Sequence, residues 1–526
     1  MRKAIALELL LLILVILLCL IFLFPEKIIH HTYYVDDAAG DDTNSGTSPS
    51  APWKSLSRIN RQVFEPGDRI LFKAGGVWTG ELHPKGSGTR KLPIRIGRYG
   101  QGKRPLIQGG GGERAVFLYN QEYWEIGHLE ITNQGPDEAD GPRRGVEIMA
   151  DHQNAKRKAG PDRVSTLRHI RLHDLYIHDV NGQDKKDGYG SSGIHVWVSA
   201  GEGPHERITT FDGILIENNV LENIKRTGIM TMSEWSNRPQ HDGSGYDPAY
   251  PWTPLTDVVI RGNRLTNICG DGIVPHVTDG ALVEHNKLEG FNRCSSGYNA
   301  GMWTYNGDNT VYQFNEVSGG HSTRDGMAFD FDHGSKGIIY QYNYSHDNEG
   351  GTLLICNNLP GGGVYDGVFR YNISQNDRNK IFTVCQGDNA RNIQIYNNVF
   401  FVGEHLATSL LPAEGGKTSV ILRNNIFYNL GSGGYAAKPG WTYENNVFYG
   451  NRIPDANTMP DAGMSTSDPM FVSPGSSPDG YKLRRGSPVI GGGTAVQGNG
   501  GRDFWGNSVD ERLQPNQGAY NGEGEF

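Results

Sequence analysis

The segment Arg324-Asp325-Gly326-Met327-Ala328-Phe329-Asp330-Phe331-Asp332-His333 brings three carboxylates within eight residues. Phe329 and Phe331 alternate with Asp330 and Asp332, the period of a strand with two unlike faces. Both carboxylates then project from one face, with Cα atoms roughly 6.5–7 Å apart. Repulsion and unequal burial at such a separation raise one pKa and leave the other group ionised. Glycosidic cleavage uses that division: one acid protonates the leaving oxygen, and one carboxylate attacks the anomeric carbon or activates water. Asp325, just before the strand, and Asp271, in the comparable run Gly270-Asp271-Gly272, are alternative sources of the acid. Aspartate also caps turns in strand-rich proteins, so each of these residues has a structural alternative.

Such a strand needs a regular frame, and the sequence repeats. Nine Ile-, Val- or Tyr-rich segments end in Asn, among them Ile216-Glu217-Asn218-Asn219, Val283-Glu284-His285-Asn286 and Tyr340-Gln341-Tyr342-Asn343, at intervals of 21 to 44 residues. With Gly, Asn and Asp at the turns, this period predicts an all-β fold, a single-stranded right-handed parallel β-helix. An inward Asn at each bend hydrogen-bonds the rungs above and below.

A second ladder consists of Gly-led segments, aligned here as 145–151, 193–199, 228–234, 272–278, 301–307, 326–332 and 351–357, followed by 380–386. In this alignment alternate residues face outward. That face carries Glu147, His195, Trp197, Glu234, His276, Trp303, Tyr305, Asp330 and Asp332, then Leu353, Ile355 and Asn357, and Phe382, Val384 and Gln386. Aromatic rings stack on pyranose C–H groups, and amide, imidazole and carboxylate groups bind hydroxyls. Trp303, Tyr305, His276, Glu234, Asp271, Trp197 and Asn357 are therefore candidates for sugar binding, beside Asp330, Asp332 and Asp325 for catalysis. For Trp197, His276 and Glu234 a scaffold role is the alternative. This chemistry calls for no cofactor and no catalytic metal. A structural Ca²⁺ in the Asp-rich segment 36–42 is the one ion to consider, with a solvated turn as the alternative.

The 72 glycines and 37% apolar content of the 526-residue chain suit a turn-rich protein that grows by stacking into one long domain. A net charge of −9 speaks against nucleic-acid and polyanionic partners. Residues 4–24 are apolar apart from Glu8 and follow Arg2 and Lys3. This favours a signal anchor over residues 1–27, a transmembrane helix, rather than a cleaved secretory peptide. The chain from residue 30 onward is then periplasmic or extracellular. Residues 30–110 are expected to form an amino-terminal cap and first coils, with a short helix around 53–62. Residues 111–450 follow as the β-helix with the site face, and 451–526 as a closing segment. The insertion 236–254, with His241, Tyr246, Tyr250 and Trp252, would wall a cleft or pack as a surface loop. Cys269 with Cys294, and Cys356 with Cys385, lie about one rung apart and suit disulfides in an exported protein. The alignment turns Cys356 and Cys385 inward, so a reduced buried stack is the alternative for that pair.

Tyr33-Tyr34-Val35-Asp36-Asp37, the Gly40–Thr47 turn, Pro52-Trp53-Lys54-Ser55-Leu56 and Pro66-Gly67-Asp68-Arg69-Ile70-Leu71-Phe72 resemble the amino-terminal opening of bacterial right-handed parallel β-helix proteins of the pectate-lyase-like superfamily. These include lyases, epimerases and glycoside hydrolases. Asp503-Phe504-Trp505-Gly506-Asn507 and Gly518-Ala519-Tyr520 resemble their closing segment. The Asp-Gly-x-x-Phe-Asp-x-Asp pattern of 325–332 resembles the catalytic aspartates of β-helix glycoside hydrolases, and the spacing from Asp325 to Asp332 is similar to that of the lacto-N-biosidase type. The resemblance implies hydrolysis of a neutral or amino-sugar poly- or oligosaccharide. Two rivals stay open. A polysaccharide lyase or uronate epimerase needs cations and a base; the aligned face has neither Lys nor Arg, although Arg324, Lys336, Arg378 and Lys380 lie at nearby turns. A non-catalytic, membrane-tethered glycan-binding protein needs only the long rigid face.

Overall fold

Asparagine forms a continuous hydrogen-bonded column in the computed structural model, which describes residues 30–136, 141–151, 164–186, 190–201, 207–238, 249–356, 363–385, 390–411 and 418–526. Asn219, Asn263, Asn286, Asn315, Asn343, Asn372, Asn398, Asn425 and Asn446 are all buried. Each side-chain amide donates to the next Asn carbonyl at 2.9–3.1 Å, and Asn446 donates to Asp461 at the end. Each amide also takes up a main-chain carbonyl, such as Leu172 O or Ile216 O, that the bend would leave unpaired. The preceding residue is left-handed in every rung, including Asn218, His285, Phe314, Tyr342 and Tyr371 with φ of 50–57°. Such a φ is unusual for an aromatic residue. Stacking along the outside offsets it, with ring centroids 5.1 Å apart for Phe314 and Tyr342 and 6.0 Å for Tyr342 and Tyr371.

The column joins two of three long parallel sheets. One has 16 strands and starts at Thr32–Val35, a second has 13, and a third of nine runs from Arg114–Tyr119 to Lys380–Val384. Ile, Val, Leu and Phe from all three fill the coil as one core. At the amino end, the helix Leu56–Arg61 covers the core with Leu56 and Ile59, and Ser55 Oγ caps it by accepting from Arg58 N at 3.2 Å. The Asp side chains of 36–42 serve as turn caps: Asp36 accepts from Ala38 N and Ala39 N, Asp41 from Thr43 N, and Asp42 from Lys54 N and Ser55 N. At the other end Phe471, Tyr481, Leu483, Val489 and Tyr520 fold back against Ile373, Val399 and Ile426 on the 13-stranded sheet. Among the described residues no helix is long and apolar enough to cross a membrane. The anchor expected over residues 1–27 lies outside them.

Pairing in the nine-stranded sheet corrects the alignment by leading glycines. Met302 pairs with Phe329 and Trp303 with Asp330, two residues away from that alignment, so the faces are kept. Gly351 pairs with Met327, one residue away, and this exchanges the faces. Leu353, Ile355, Phe382 and Val384 are consequently in the core, while Leu354, Cys356 and Cys385 turn to the outer side. Asn357 and Gln386 lie outside the described residues.

Candidate active site

The Asp325-Gly326 turn sets the site strand in place. Asp325 is left-handed (φ 59°) and bridges Asn299, whose carbonyl accepts from Gly326 N at 2.8 Å. Gly326 is itself left-handed (φ 71°), and a Cβ there would fall 2.0 Å from Ser322 O. Only glycine fits. The strand Met327–Phe331 then inserts Phe329 and Phe331 into the core and turns Asp330 and Asp332 the other way.

They face a cleft of two lobes. One, of about 410 Å³, is lined by Lys186, Arg226, Met230, Met232, Asp271, Val274 and His276. The other, of about 340 Å³, is lined by Tyr298, Asn299, Asp325, Asp330, His333, Leu354 and the cysteines Cys356 and Cys385. Lys186, Trp303, Tyr305 and Asp332 border both. Asp332 thus stands where the lobes meet.

All three candidate catalytic carboxyls are held above the usual carboxylate range. Burial pushes Asp325 up to about 6, with Lys186 drawing it down and Asp271 adding repulsion. Burial likewise pushes Asp332 up to about 7, against a hydrogen bond from His333 N and the pull of Lys186. Asp330 is raised furthest, by burial and then by the charges of Asp332 and Asp325. Its Oδ1 is buried without a hydrogen-bond partner, a setting that favours the neutral carboxyl.

The remaining candidates divide. Asp271 is fully engaged: it accepts from Arg226 Nη2 at 2.6 Å, from Ala300 N at 3.0 Å and from Trp303 Nε1 at 3.0 Å, and so fixes the tryptophan. His276 meets Trp303 edge-on at 4.8 Å, and burial lowers its pKa to about 3, leaving a neutral wall. Tyr305 lies 5.9 Å from the His333 ring. Glu234 accepts from Ser199 Oγ at 3.0 Å and Ala200 N at 2.7 Å at the end of the neighbouring strand, and Trp197 is buried beside His195. Neither lines the cleft. In the insertion 236–254, Ser236 lines the larger lobe and Trp252 packs under Arg238 at 3.6 Å; His241 and Tyr246 lie outside the described residues.

Four residues of the site went unrecognised in the sequence: Lys186, Arg226, Tyr298 and His333. Lys186 reaches over Trp303, its Nζ 5.1 Å from the ring, and bonds Tyr298 O. It arrives from a turn more than a hundred residues upstream, and its signal was the charged run Asp184-Lys185-Lys186 just before a Gly-led strand. Both disulfides, Cys269–Cys294 and Cys356–Cys385, are formed; the second lies in the cleft wall and not in the core.

A stacked parallel coil with aromatic walls around clustered acids defines a carbohydrate-active protein of the parallel β-helix kind. The comparisons point the same way. The lacto-N-biosidase of Bifidobacterium longum subsp. longum is 28% identical over 603 residues, covering 93% of this chain and 36% of that protein. The chain thus spans about a third of that curated relative. Alpha-1,3-galactosidase A of Akkermansia muciniphila is 33% identical over 67 residues, 13% of this chain and 11% of that one. Among solved structures, a GH136 lacto-N-biosidase from Eubacterium ramulus has a TM-score of 0.64 at 28% identity, covering 76% of this chain and 68% of the other. XylC in complex with xylose has a TM-score of 0.53 at 11% identity over 93% and 98% of the two chains, a likeness of fold alone. No family model matches the chain.

Proposed function

We propose that the protein is a glycoside hydrolase acting on an amino-sugar oligosaccharide, with Asp332 and Asp325 as its working carboxyls. The observation that carries this reading is the placing of two buried carboxyls with raised pKa in one lobe, Asp332 at its junction with the other and Asp325 within it, beside Trp303 and Tyr305. Between their values, about 6 and about 7, Asp332 is mostly protonated and Asp325 mostly ionised. Asp332 gives its proton to the glycosidic oxygen as the C–O bond breaks. Asp325 either bonds the anomeric carbon, for later release by water, or takes a proton from the attacking water. Asp330, held neutral, keeps the local negative charge from accumulating. The likeness to two lacto-N-biosidases supports an amino-sugar substrate. Two disulfides, one of them in the cleft wall, support a place outside the cytoplasm.

The test is incubation with neutral, amino-sugar and uronate oligosaccharides, following new reducing ends and the ultraviolet absorbance of unsaturated products. Hydrolysis gives reducing ends without absorbance, with kcat falling on the order of a thousandfold in Asp332→Asn and Asp325→Asn. Rising absorbance would move the assignment to a lyase. Glycan binding without turnover would leave only a lectin-like role.

A further inference from the structure

Tyr298 combines exposure with order. Its side chain is 52% exposed at the mouth of the smaller lobe. Yet the Arg324 guanidinium lies 4.1 Å over its ring, and Arg324 Nη1 donates to Ser296 O at 3.2 Å. Its carbonyl accepts from Lys186 Nζ. The loop that carries it is tied down on both sides. Cys294 is bonded to Cys269, Ser295 Oγ donates to Asp184 at 2.9 Å and accepts from Arg226 Nη1 at 3.0 Å, and Asn299 Nδ2 donates to Asn292 at 2.7 Å.

Fixing a large ring that stays half exposed costs entropy that its partial burial offsets only in part. The arrangement makes physical sense when a ligand supplies the missing contact. A cation on one face leaves the other free. The same lobe presents Ala300, Leu354 and the Cys356–Cys385 disulfide as apolar lining, with Asp325, Asp330, Asp332 and His333 as its polar groups. Apolar surface and acceptors together match a pyranose ring, whose C–H faces are apolar and whose hydroxyls lie at the rim.

We propose that Tyr298, at the mouth of the smaller lobe, is the stacking platform of a subsite for a sugar one unit beyond the two joined by the cleaved bond, and that Arg324 is the positioning residue that holds the platform. This rests on the hydrolase reading and assigns the cleft a sugar beyond those at the cleaved bond. The full chain and its Tyr298→Ala, Tyr298→Trp, Arg324→Ala and Arg324→Lys variants are compared on an oligosaccharide series, from the shortest that is cleaved to those one sugar longer at either end. For the longer substrate Tyr298→Ala is expected to raise KM roughly three- to tenfold with kcat nearly unchanged, and the shortest substrate is affected far less. Tyr298→Trp restores KM, and Arg324→Ala gives a smaller rise that Arg324→Lys does not repair, because a lysine lacks the planar stack. Equal losses on short and long substrates, or none on either, overturn the platform. Should the wild type hydrolyse nothing, the hydrolase reading fails separately. Calorimetric affinity for the longer oligosaccharides then decides the platform, which falls if Tyr298→Ala binds as tightly as wild type.

Discussion

Two regions of the nine-stranded sheet bury carboxylates on the same outer face and treat them in opposite ways. Near its amino end, Glu147 is buried between two guanidinium groups, Arg114 Nε at 2.8 Å and Arg144 Nη1 at 3.1 Å, with His195 Nδ1 at 3.0 Å. Burial pulls its pKa up, and the hydrogen bond with His195 together with the charges of Arg144 and Arg114 outweighs that and holds it low. Five strands further on, Asp325, Asp330 and Asp332 have each other and Asp271 for neighbours, with Lys186, and for Asp325 also Arg324, as counter-charge, and all three are raised. Burial is common to both regions, so it does not distinguish structural from reactive acids. The balance of charge around each group does.

Breaking this contrast on the amino-terminal side has the largest expected effect. Glu147→Gln takes the buried carboxylate from Arg114 and Arg144 and leaves them the exposed Glu113, at 2.6 and 3.1 Å; it should cost about 3 kcal/mol, read as a fall in Tm. Asp330→Asn removes a protonated, unpaired group and should leave Tm within a few degrees of wild type. If both lower it equally, the two regions are alike. The dependence of stability on pH sharpens the comparison. With raised pKa values, Asp325 and Asp332 keep in the native state protons that the unfolded chain has already released. Their contribution therefore falls as pH climbs from about 4 to about 7. Glu147, held low, works the other way, adding stability above its unfolded pKa and losing it as pH falls through the folded one. Asp332→Asn should flatten the decline toward pH 7, and Glu147→Gln should remove part of the loss in acid, both measurable in denaturant melts across pH. The smallest effect is on the rate profile. Lys186 draws both Asp325 and Asp332 down, so Lys186→Met should move the optimum of kcat/KM to higher pH by a fraction of a unit.

The asparagine column from Asn219 onward was legible in the sequence, because the amide recurs in each of those rungs whatever the loops do; the two rungs before it turn the same corner with Leu129 and Leu175 in its place. The register of the site strand was not. Glycine led each segment and seemed to mark equivalent places, but Gly326 serves a left-handed turn while Gly351 is paired inside a strand. A count from the column would have served better. Some 10 residues separate Asn263 from Ile273, 16 separate Asn286 from its partner Met302, 14 separate Asn315 from Phe329, and 10 again separate Asn343 from Leu353. The two long intervals contain the loops of Tyr298, Asn299 and Asp325. Asp330 and Asp332 could be read from alternation alone, whereas Lys186 and Arg226 reach the site across rungs, a relation that no local pattern encodes. Trp197 and Glu234 share the outward parity of the site yet stand outside the cleft, since parity fixes a face and not a neighbourhood.

Within the three long sheets each strand pairs with the strands beside it, so a change in loop length at one corner is absorbed there and the column continues undisturbed. The chain thus separates inheritance into two ledgers. One is a conservative count of strands and asparagines, and the other is a short stretch of corner loops free to gain or lose residues. Rewriting 291–299 or 320–326 would re-line the cleft while leaving the coil unaltered.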